Sequence, residues 1–233
     1  MTGVVTVETG GSVAVVRLDD GKVNALTLDV VTELERALTN AARTADAVVL
    51  TGRAGCLTAG LDRSIMLGSD RAAVSGNLRR VTRLFQTIMR LPVPTVVACP
   101  GHAIAAGSLL LLLADVRVGA RVRSKIGLNE VQIGLPLFPL AVAAARVRLA
   151  STAFVRSTLE GALYDWDSAV EVGYLDRAVD AADLIDNAVD HAARIGDLDR
   201  RAYLATRELI LAPVVDEVER ALARKPAQAP TPG

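Results

Sequence analysis

The sequence predicts an α/β fold in which buried strands alternate with amphipathic helices, followed by a segment that is helical only. A short β-branched run at residues 47–51 ends at a glycine, and apolar residues recur at helical spacing over residues 29–43. After residue 181 only helical patterns remain. We therefore divide the chain into a core over 1–180, a helical oligomerisation subdomain over 181–225 and a disordered tail over 226–233.

Each element of the core has its own local signal. Two β-branched runs at residues 4–9 and 12–18 flank Gly10-Gly11, which predicts a hairpin. Thr27 is placed to cap the helix at residues 29–43. The other predicted core elements are strands at 47–51, 95–98, 116–118 and 125–127, and helices at 74–90 and 108–113. The later predicted helices span residues 182–195, 198–211 and 213–224.

The composition excludes several classes of function. Lys and Arg number 26, as do Asp and Glu, so the chain has no net charge to attract nucleic acid or an anionic membrane. The longest apolar run, residues 103–114, is too short to span a bilayer, and residues 1–5 lack signal-peptide features. Cys56 and Cys99 fit no metal spacing and no disulfide framework. We expect no nucleic-acid partner, no membrane and a reducing, cytoplasmic location.

Two segments combine a buried strand, a turn of small residues and a helix start. One leads from residues 48–52 to Ala59-Gly60-Leu61-Asp62, and the other from residues 95–98 to Ala105-Ala106-Gly107-Ser108. Small residues let a ligand approach the backbone, and the first N–H groups of a helix lack partners. Two such donors that converge would stabilise a carbonyl oxygen as an oxyanion. Taken singly, each segment is ordinary turn sequence.

Four segments in register resemble the crotonase, or enoyl-CoA hydratase/isomerase, superfamily. Residues 20–26 (DGKVNAL) are similar to the family's (R/K)xNAL segment, and residues 58–62 (TAGLD) to its (S/C/A)AGxDL loop. Residues 100–109 (PGHAIAAGSL) resemble NGxAxGGGxE, and residues 161–176 resemble AxxxGLVDxV. The resemblance covers residues 4–180 and implies a spiral of ββα units with a C-terminal α-helical segment that forms trimers. It also implies acyl-CoA thioesters as ligands.

The resemblance assigns residues to a site. It implies oxyanion-hole N–H groups on Leu61 and on Ala106, which stands where the family usually has glycine. It implies no separate cofactor, because coenzyme A belongs to the substrate. His102 and His191 have no further ligands near them in the sequence, so we expect no metal. The resemblance also places residues against the substrate, with Lys22 on a coenzyme A phosphate and Leu109 on the acyl pocket. The full set is Lys22, Ala25, Ala59, Asp62 and Leu109.

The number of carboxylates decides the expected chemistry. Hydratases of the family carry two glutamates, at the positions of Leu109 and Glu130 in this chain. Adding water across a double bond uses one carboxylate to activate water and another to deliver a proton, and leucine can do neither. Residues 127–134 instead resemble the 3,2-enoyl-CoA isomerases of the family, in which the single glutamate is the base.

Three functions stay open on the sequence alone. The first is an isomerase in which Glu130 shuttles the proton, and the second is a hydratase or another thioester enzyme of the same fold. The third is a non-catalytic acyl-CoA-binding protein that kept the pocket. An apolar setting is expected to raise the pKa of Glu130 and make it a better base. The residues expected to supply that setting are Leu109, Leu128, Val131 and Ile133.

Two further expectations concern the surface. The helices after residue 181 carry apolar faces, which predicts a homotrimer or homohexamer assembled through this segment. Arg117, Arg121 and Arg123 are expected on a solvated face.

Overall fold

The chain passes three times through a strand, a second strand and a helix, after an initial hairpin and helix. The computed structural model describes residues 3–65 and 71–223. The strands are β1 (Val5–Gly10), β2 (Val13–Leu18), β3 (Ala47–Thr51), β4 (Gly55–Thr58), β5 (Thr95–Cys99), β6 (Gly101–Ile104), β7 (Val116–Ala120), β8 (Ile126–Gly127) and β9 (Arg177–Val179). The helices are α1 (Leu28–Ala41), α2 (Arg71–Arg90), α3 (Ala106–Leu113), α4 (Pro139–Arg148), α5 (Phe154–Thr158), α6 (Trp166–Val172), α7 (Leu184–Gly196) and α8 (Arg200–Ala223).

The strands form two sheets, and successive units of the chain add one strand to each sheet. The larger sheet has the order β1-β2-β3-β5-β7-β9, and the smaller has the order β4-β6-β8. Every neighbouring pair is parallel except the hairpin of β1 and β2. Each of the units β3-β4-α2, β5-β6-α3 and β7-β8-α4 therefore adds one strand to each sheet and one helix. The predicted α/β class and the spiral of ββα units are confirmed.

Both faces of the large sheet are covered. Val48 and Leu50 of β3 belong to the main core, which also contains apolar side chains of α1, α2, α3 and α4. Ala47 and Val49, which point to the opposite face, pack in a second cluster with α7. Successive side chains of a strand alternate between faces, so a strand covered on both sides must be apolar throughout. This explains the unbroken burial of β3 and β5.

The helical segment after residue 181 packs on the chain's own core. Leu184, Ala188 and Ala192 of α7 are buried against the second face of the large sheet, and α8 contacts α4. The apolar face of α7, which we expected to mediate assembly, is thus occupied within the chain. The subdomain division at residue 181 stays a prediction. The predicted tail at 226–233 lies outside the described residues.

The expectation of a solvated face is wrong for Arg117. This side chain is buried, and its Nε and backbone N–H donate to Asp176 Oδ2 at 3.1 and 2.7 Å. Its Nη1 donates to the Gly173 carbonyl at 2.8 Å. The reason is that β7 lies between β5 and β9 in a sheet covered on both sides. Burial acts to raise the pKa of Asp176, but the Arg117 guanidinium outweighs it and lowers that pKa.

The sequence patterns also missed some elements. Strands β4, β6 and β9 were not predicted, and the two helices expected around Pro213 form the single helix α8. Pro213 lies on the exposed side of α8, where water can satisfy the carbonyl whose helical partner is missing. No helix of the described residues is both long and apolar enough to cross a membrane.

Replacing Pro213 with alanine should stabilise the protein. Alanine restores the N–H that an interior helical position needs, and we expect a gain of roughly 1–3 kcal/mol in the free energy of unfolding. Urea denaturation followed by circular dichroism measures this change. Pro139→Ala is the matched control, because proline at the first turn of α4 costs no helical hydrogen bond and its replacement should bring no gain. An unchanged midpoint for Pro213→Ala would show that α8 contributes no stability beyond residue 209.

Candidate active site

The loop after β2 is fixed by one buried side chain. Asn24 has φ 54°, a region that asparagine tolerates better than most residues. Its amide nitrogen donates to the Leu18 carbonyl at 2.9 Å and to the Cys56 and Leu57 carbonyls at 3.2 and 3.0 Å. Its Oδ1 accepts from the Asp20 N–H at 2.9 Å. Since Leu18 ends β2 and the other two carbonyls belong to β4, Asn24 ties this loop to both sheets.

The first of the two small-residue turns follows β4. Thr58 Oγ1 donates to the Asn24 carbonyl at 2.5 Å and accepts from the Gly60 N–H at 3.0 Å. Leu61 pairs with Leu26 in an isolated parallel bridge, in which the Leu26 N–H donates to the Gly60 carbonyl at 2.9 Å. The Leu61 N–H itself has no acceptor among the described residues. The turn thus holds a free donor in a rigid frame.

The two turns meet at Gly60. This residue has φ 97°, and a Cβ atom there would lie 2.8 Å from the Ile104 carbonyl oxygen and 3.4 Å from the Ala106 nitrogen. Apart from the Ala105 methyl group, which would lie 3.2 Å away, the contact is between backbone atoms. The arrangement brings Gly60, and with it Leu61, close to Ala106, and the role of these two residues as donors stays a prediction.

Hydrogen bonds to Gly127 of β8 hold the second turn in place. The Ala105 N–H donates to the Gly127 carbonyl at 2.9 Å. Ser108 Oγ donates to the Ala103 carbonyl at 2.5 Å and accepts from the Gly127 N–H at 2.7 Å. Ala105 has φ 53°, a strained value for a residue with a Cβ atom, and such strain concentrates at functional sites. The chain is thereby forced to begin α3 at Ala106.

Ala106 keeps a usable donor although the family usually has glycine there. Positive φ values at non-glycine positions of the described chain occur at Asn24 and Ala105, so Ala106 has an ordinary helical backbone. As the first residue of α3, it has an N–H that finds no acceptor among the described residues. The helix dipole adds partial positive charge at this point, which favours a developing negative oxygen.

Glu130 is a buried carboxyl group without a counter-charge. It begins a short 3-10 helix, Glu130–Ile133, that follows β8, and it is 7% exposed. Its Oε2 has no hydrogen-bond partner in the described part of the chain. Burial raises the pKa of Glu130 above its ordinary value, as expected for a carboxyl group removed from water. The prediction of a raised pKa is confirmed.

The source of that burial differs in part from the prediction. Leu128 is fully buried, whereas Val131 and Ile133 are 42% and 60% exposed. The 3-10 helix is a single turn on the surface, so only Glu130 among its four residues points inward. Tyr174 is a further buried residue of this region that the sequence did not indicate. Burial raises the pKa of its hydroxyl, and Tyr164 and, to a smaller extent, the Glu130 charge add to that effect.

Leu109 lies in the core, and its contact with an acyl chain stays a prediction. It is buried, and it lines a cavity of about 60 Å³ between α2, α3 and α4. No carboxylate is among the described residues that line this cavity, and the position where hydratases carry their first glutamate is apolar here. The other described residues that line it are Leu78, Val81, Thr82, Phe85, Phe138, Pro139 and Leu140.

The remaining predicted contacts lie on the two loops beside the turns. Lys22 is exposed, and the N–H groups of Lys22 and Ala25 donate to the Asp20 carboxylate at 2.7 and 3.2 Å. Ala59 is partly buried. Asp62 accepts from the Ser64 N–H at 2.9 Å, at the start of the short 3-10 helix Arg63–Ile65. These residues surround the turns, but their contact with a ligand stays a prediction.

Sequence reasoning missed the residues that hold the donors in place. Asn24, Thr58 and Ser108 each link two segments through buried hydrogen bonds. A signal existed for each of them, because a small polar residue beside a glycine turn often bonds to nearby backbone. The sequence alone could not tell which segments these side chains would join.

A spiral of ββα units, with two turns whose N–H groups have no described acceptor and a buried carboxyl group just after β8, which bonds to the second turn, is an architecture of the crotonase class. A family model described as enoyl-CoA hydratase/isomerase matches residues 8–226. The chain belongs to the enoyl-CoA hydratase/isomerase family, which is a family of enzymes.

Individual relatives carry both names of that family. Over 176 residues the chain is 31% identical to enoyl-CoA delta isomerase 1, mitochondrial, of Homo sapiens, covering 74% of this chain and 58% of that protein. It superposes with a TM-score of 0.88 on an enoyl-CoA hydratase/isomerase family protein from Pseudomonas syringae, with 34% identity and 94% and 95% of the two chains covered. An enoyl-CoA hydratase from Mycobacterium ulcerans gives a TM-score of 0.88 at 28% identity, with 94% and 96% covered. The chain thus spans less than two thirds of the human relative.

Adding one methyl group at Gly60 should disrupt the contact between the turns. We expect Gly60→Ala to lower the free energy of unfolding by roughly 1–3 kcal/mol from backbone strain, and by more where the Ile104 carbonyl must move. The amide resonances of Leu61 and Ala106 should shift in nuclear magnetic resonance spectra. Gly21→Ala is the matched control, since Gly21 has φ 72° but open space around it. Equal losses in both variants, with unmoved amide resonances, would contradict a close contact.

Proposed function

We propose that the protein is a 3,2-enoyl-CoA isomerase, which moves the double bond of an acyl-CoA thioester from position 3 to position 2. One observation carries the proposal. Glu130 is a single buried carboxyl group with an unpaired oxygen and a raised pKa, while Leu109 occupies the place of a second carboxylate. A reaction that moves one proton needs one base, whereas hydration is best served by two.

The proposed reaction needs no proton from outside the substrate and Glu130. The ionised Glu130 removes a proton from C2 of the 3-enoyl thioester, and the electron pair delocalises to the thioester oxygen and C4. The protonated Glu130 then returns the same proton to C4, which leaves the double bond between C2 and C3. A base whose pKa is raised towards neutrality suits both steps, because it must accept and release the proton in one turnover.

The thioester oxygen carries the negative charge between the two steps. In the proposal it accepts hydrogen bonds from the Leu61 and Ala106 N–H groups, which have no other described acceptors. Oxyanion donors of this kind are worth about 10²–10³ in rate each, because they are fixed before the charge appears. No cofactor takes part apart from the coenzyme A of the substrate.

The other assignments of the proposal concern substrate contacts and location. Lys22 neutralises a coenzyme A phosphate, Leu109 lines the acyl chain, and Ala25, Ala59 and Asp62 border the thioester. The positions of Lys22, Ala25, Ala59 and Asp62 around the two turns, and that of Leu109 in the buried face of α3, support these roles. A cytoplasmic location accords with two unpaired thiols, both of which are buried.

A hydratase of the same fold is the second candidate, because a structural relative at 28% identity is described as an enoyl-CoA hydratase. Incubation of the protein with a 3-enoyl-CoA and, separately, with a 2-enoyl-CoA distinguishes the candidates. The proposal expects interconversion of the two enoyl isomers. Accumulation of a 3-hydroxyacyl-CoA would establish the hydratase instead. Binding of both ligands without turnover would establish an acyl-CoA-binding protein.

Glu130→Gln should abolish isomerisation while sparing ligand affinity. Glutamine keeps the size of the side chain but cannot accept the C2 proton, so we expect kcat to fall by about 10²–10⁴. The acidic limb of the wild-type pH profile should lie above the ordinary pKa of glutamate, because only the ionised form is the base and burial raises its pKa. Steady-state rates between pH 4 and 9 measure both effects.

The stability of Glu130→Gln provides the control. The pKa of Glu130 is higher in the folded than in the unfolded chain, so its stabilising effect is complete below the unfolded pKa and is lost as pH rises through the folded pKa. The variant should therefore be more stable than the wild type at pH 7 and should not be so at pH 3. Full activity in Glu130→Gln would make Glu130 structural and end the proposed mechanism.

We further propose a homotrimer or homohexamer. Its interface is the apolar patch formed by Val131, Ile133, Val155 and Leu159, all of which are exposed. Gln132 Nε2 donates to the Glu160 carbonyl at 3.1 Å, which links the two short segments that carry these residues. In this proposal the patch takes the assembly role that we expected for the apolar face of α7, which the large sheet already covers.

Leu159→Glu should dissociate this assembly. A charge in the centre of an apolar interface has no partner there, so light scattering should show the mass of one chain. Leu209→Glu, at an exposed position of α8, is the matched control and should leave the mass unchanged. A wild-type protein that is monomeric at micromolar concentration would exclude the assembly.

A further inference from the structure

The cavity between α2, α3 and α4 offers an apolar surface to a ligand. Its described lining side chains are apolar except for Thr82, whose hydroxyl already donates to the Leu78 carbonyl at 2.8 Å. A cavity without free polar groups stays dry and takes apolar ligands. The chemistry of these walls therefore selects an alkyl chain over a charged or hydrogen-bonding group.

The three helices around this cavity follow the groups of the proposed active site. Helix α3 begins at Ala106, α4 follows the 3-10 helix that begins at Glu130, and α2 is the next α-helix after Leu61. The Leu109 N–H donates to the Ala105 carbonyl at 3.1 Å, which places Leu109 in the first turn of α3. Helical side chains point back towards the N-terminus, so Leu109 covers that turn. The cavity thus lies beside the start of α3.

The cavity is closed on one side and open on the other. Val81, Phe85 and Leu109 are buried, whereas Leu78 and Phe138 are partly exposed. Leu78 precedes Phe85 by about two turns of α2. An alkyl chain that enters between Leu78 and Phe138 ends against Phe85, which is the bulkiest of the buried lining side chains.

The volume of the cavity limits how much of a chain it can hold. It is about 60 Å³, far below the roughly 300–1,000 Å³ that is typical of small-molecule sites. An apolar cavity of about 150 Å³ holds benzene, which has six carbon atoms. In proportion, about 60 Å³ corresponds to about two or three carbon atoms.

We propose that this cavity receives the end of the acyl chain and makes the enzyme selective for short-chain thioesters of about six carbons. The inference rests on the proposed function, in which C1 to C4 lie between the two turns and Glu130, so that about two further carbons reach the cavity. Each methylene that enters the cavity leaves water and should tighten binding about fourfold. Carbons beyond the sixth meet Phe85 and gain nothing.

Isothermal titration calorimetry with saturated acyl-CoA thioesters tests the inference. Butanoyl-, hexanoyl-, octanoyl- and dodecanoyl-CoA have no double bond to move, so their affinities report on the cavity whether or not the protein is an isomerase. We expect hexanoyl-CoA to bind roughly tenfold more tightly than butanoyl-CoA, and the two longer thioesters to bind no more tightly than hexanoyl-CoA. An affinity that keeps rising to dodecanoyl-CoA, or equal affinities for butanoyl- and hexanoyl-CoA, would overturn the inference.

Phe85→Leu should deepen the cavity. Leucine has three fewer carbon atoms than phenylalanine, so octanoyl-CoA should now bind roughly tenfold more tightly than hexanoyl-CoA. Phe154→Leu is the matched control, because Phe154 begins α5 and is not among the described residues that line the cavity. It should keep the wild-type order of affinities. An unchanged order in a folded Phe85→Leu variant would contradict the proposed depth of the cavity.

Val81→Leu should have the opposite effect. The added methylene occupies part of the cavity, so hexanoyl-CoA should lose about fourfold in affinity while butanoyl-CoA is unaffected. Because this change adds to a wall beside open space, it decides the question if Phe85→Leu does not fold. An undiminished preference for hexanoyl-CoA in Val81→Leu would place the acyl chain elsewhere and overturn the inference.

Rates with unsaturated thioesters separate this inference from the proposed reaction. Equal kcat/KM values for 3-hexenoyl-CoA and 3-dodecenoyl-CoA would end the inference on chain length and leave the isomerase intact. The expected order of saturated thioesters without isomerisation of 3-hexenoyl-CoA would end the proposed reaction and keep the role of the cavity. Absence of binding of every thioester would overturn both.

Discussion

Backbone packs directly against backbone where the small sheet meets the start of α3, and the geometry of the site depends on that contact. A Cβ atom at Gly60 would meet the Ile104 carbonyl, and one at Gly107 would lie 2.6 Å from the Thr58 carbonyl. Farther along the same sheet, a Cβ atom at Gly101 would lie 2.2 Å from a carbonyl oxygen of the neighbouring strand. Because these glycines carry no side chains, the strands approach closely enough for two unpaired N–H groups to lie at adjacent turns. Dense packing makes such spacing insensitive to thermal motion, which is what preorganised donors require.

Burial of charge is treated differently in different parts of the molecule. Arg117 and Arg207 are buried with carboxylate partners, whereas Glu130 is buried without a charged partner among the described residues. A folded chain tolerates an unpaired buried ion only at a cost in stability, so such groups are expected where a ligand supplies the missing interaction.

The sequence predicted the class of the fold and the burial of Glu130, for physical reasons that can be stated, whereas the roles assigned to the site residues stay predictions. Strand β3 and helix α1 have strong local periodicity, and the turns around Gly60 and Ala106 are marked by small residues. Strands β4 and β6 could not be predicted in this way, because a strand of four residues beside glycines has too little pattern to differ from a turn. Glu130 points inward and its neighbours point outward because they form a single turn of 3-10 helix. One turn is too short to produce a periodic pattern in the sequence. The burial of Arg117 likewise follows from its partner 59 residues away.

The position of α7 has a consequence for how the chain is made. Strands of the large sheet are added in the order of synthesis from β2 onwards, so each newly emerged unit can dock on the one before it. The helix that covers the second face of this sheet, α7, follows all of its strands in the chain. Until residue 196 has emerged from the ribosome, Val49, Val96 and Val118 form an apolar surface with nothing over it. The nascent chain therefore exposes this apolar surface after its strands have formed, and the surface is covered only when α7 has emerged.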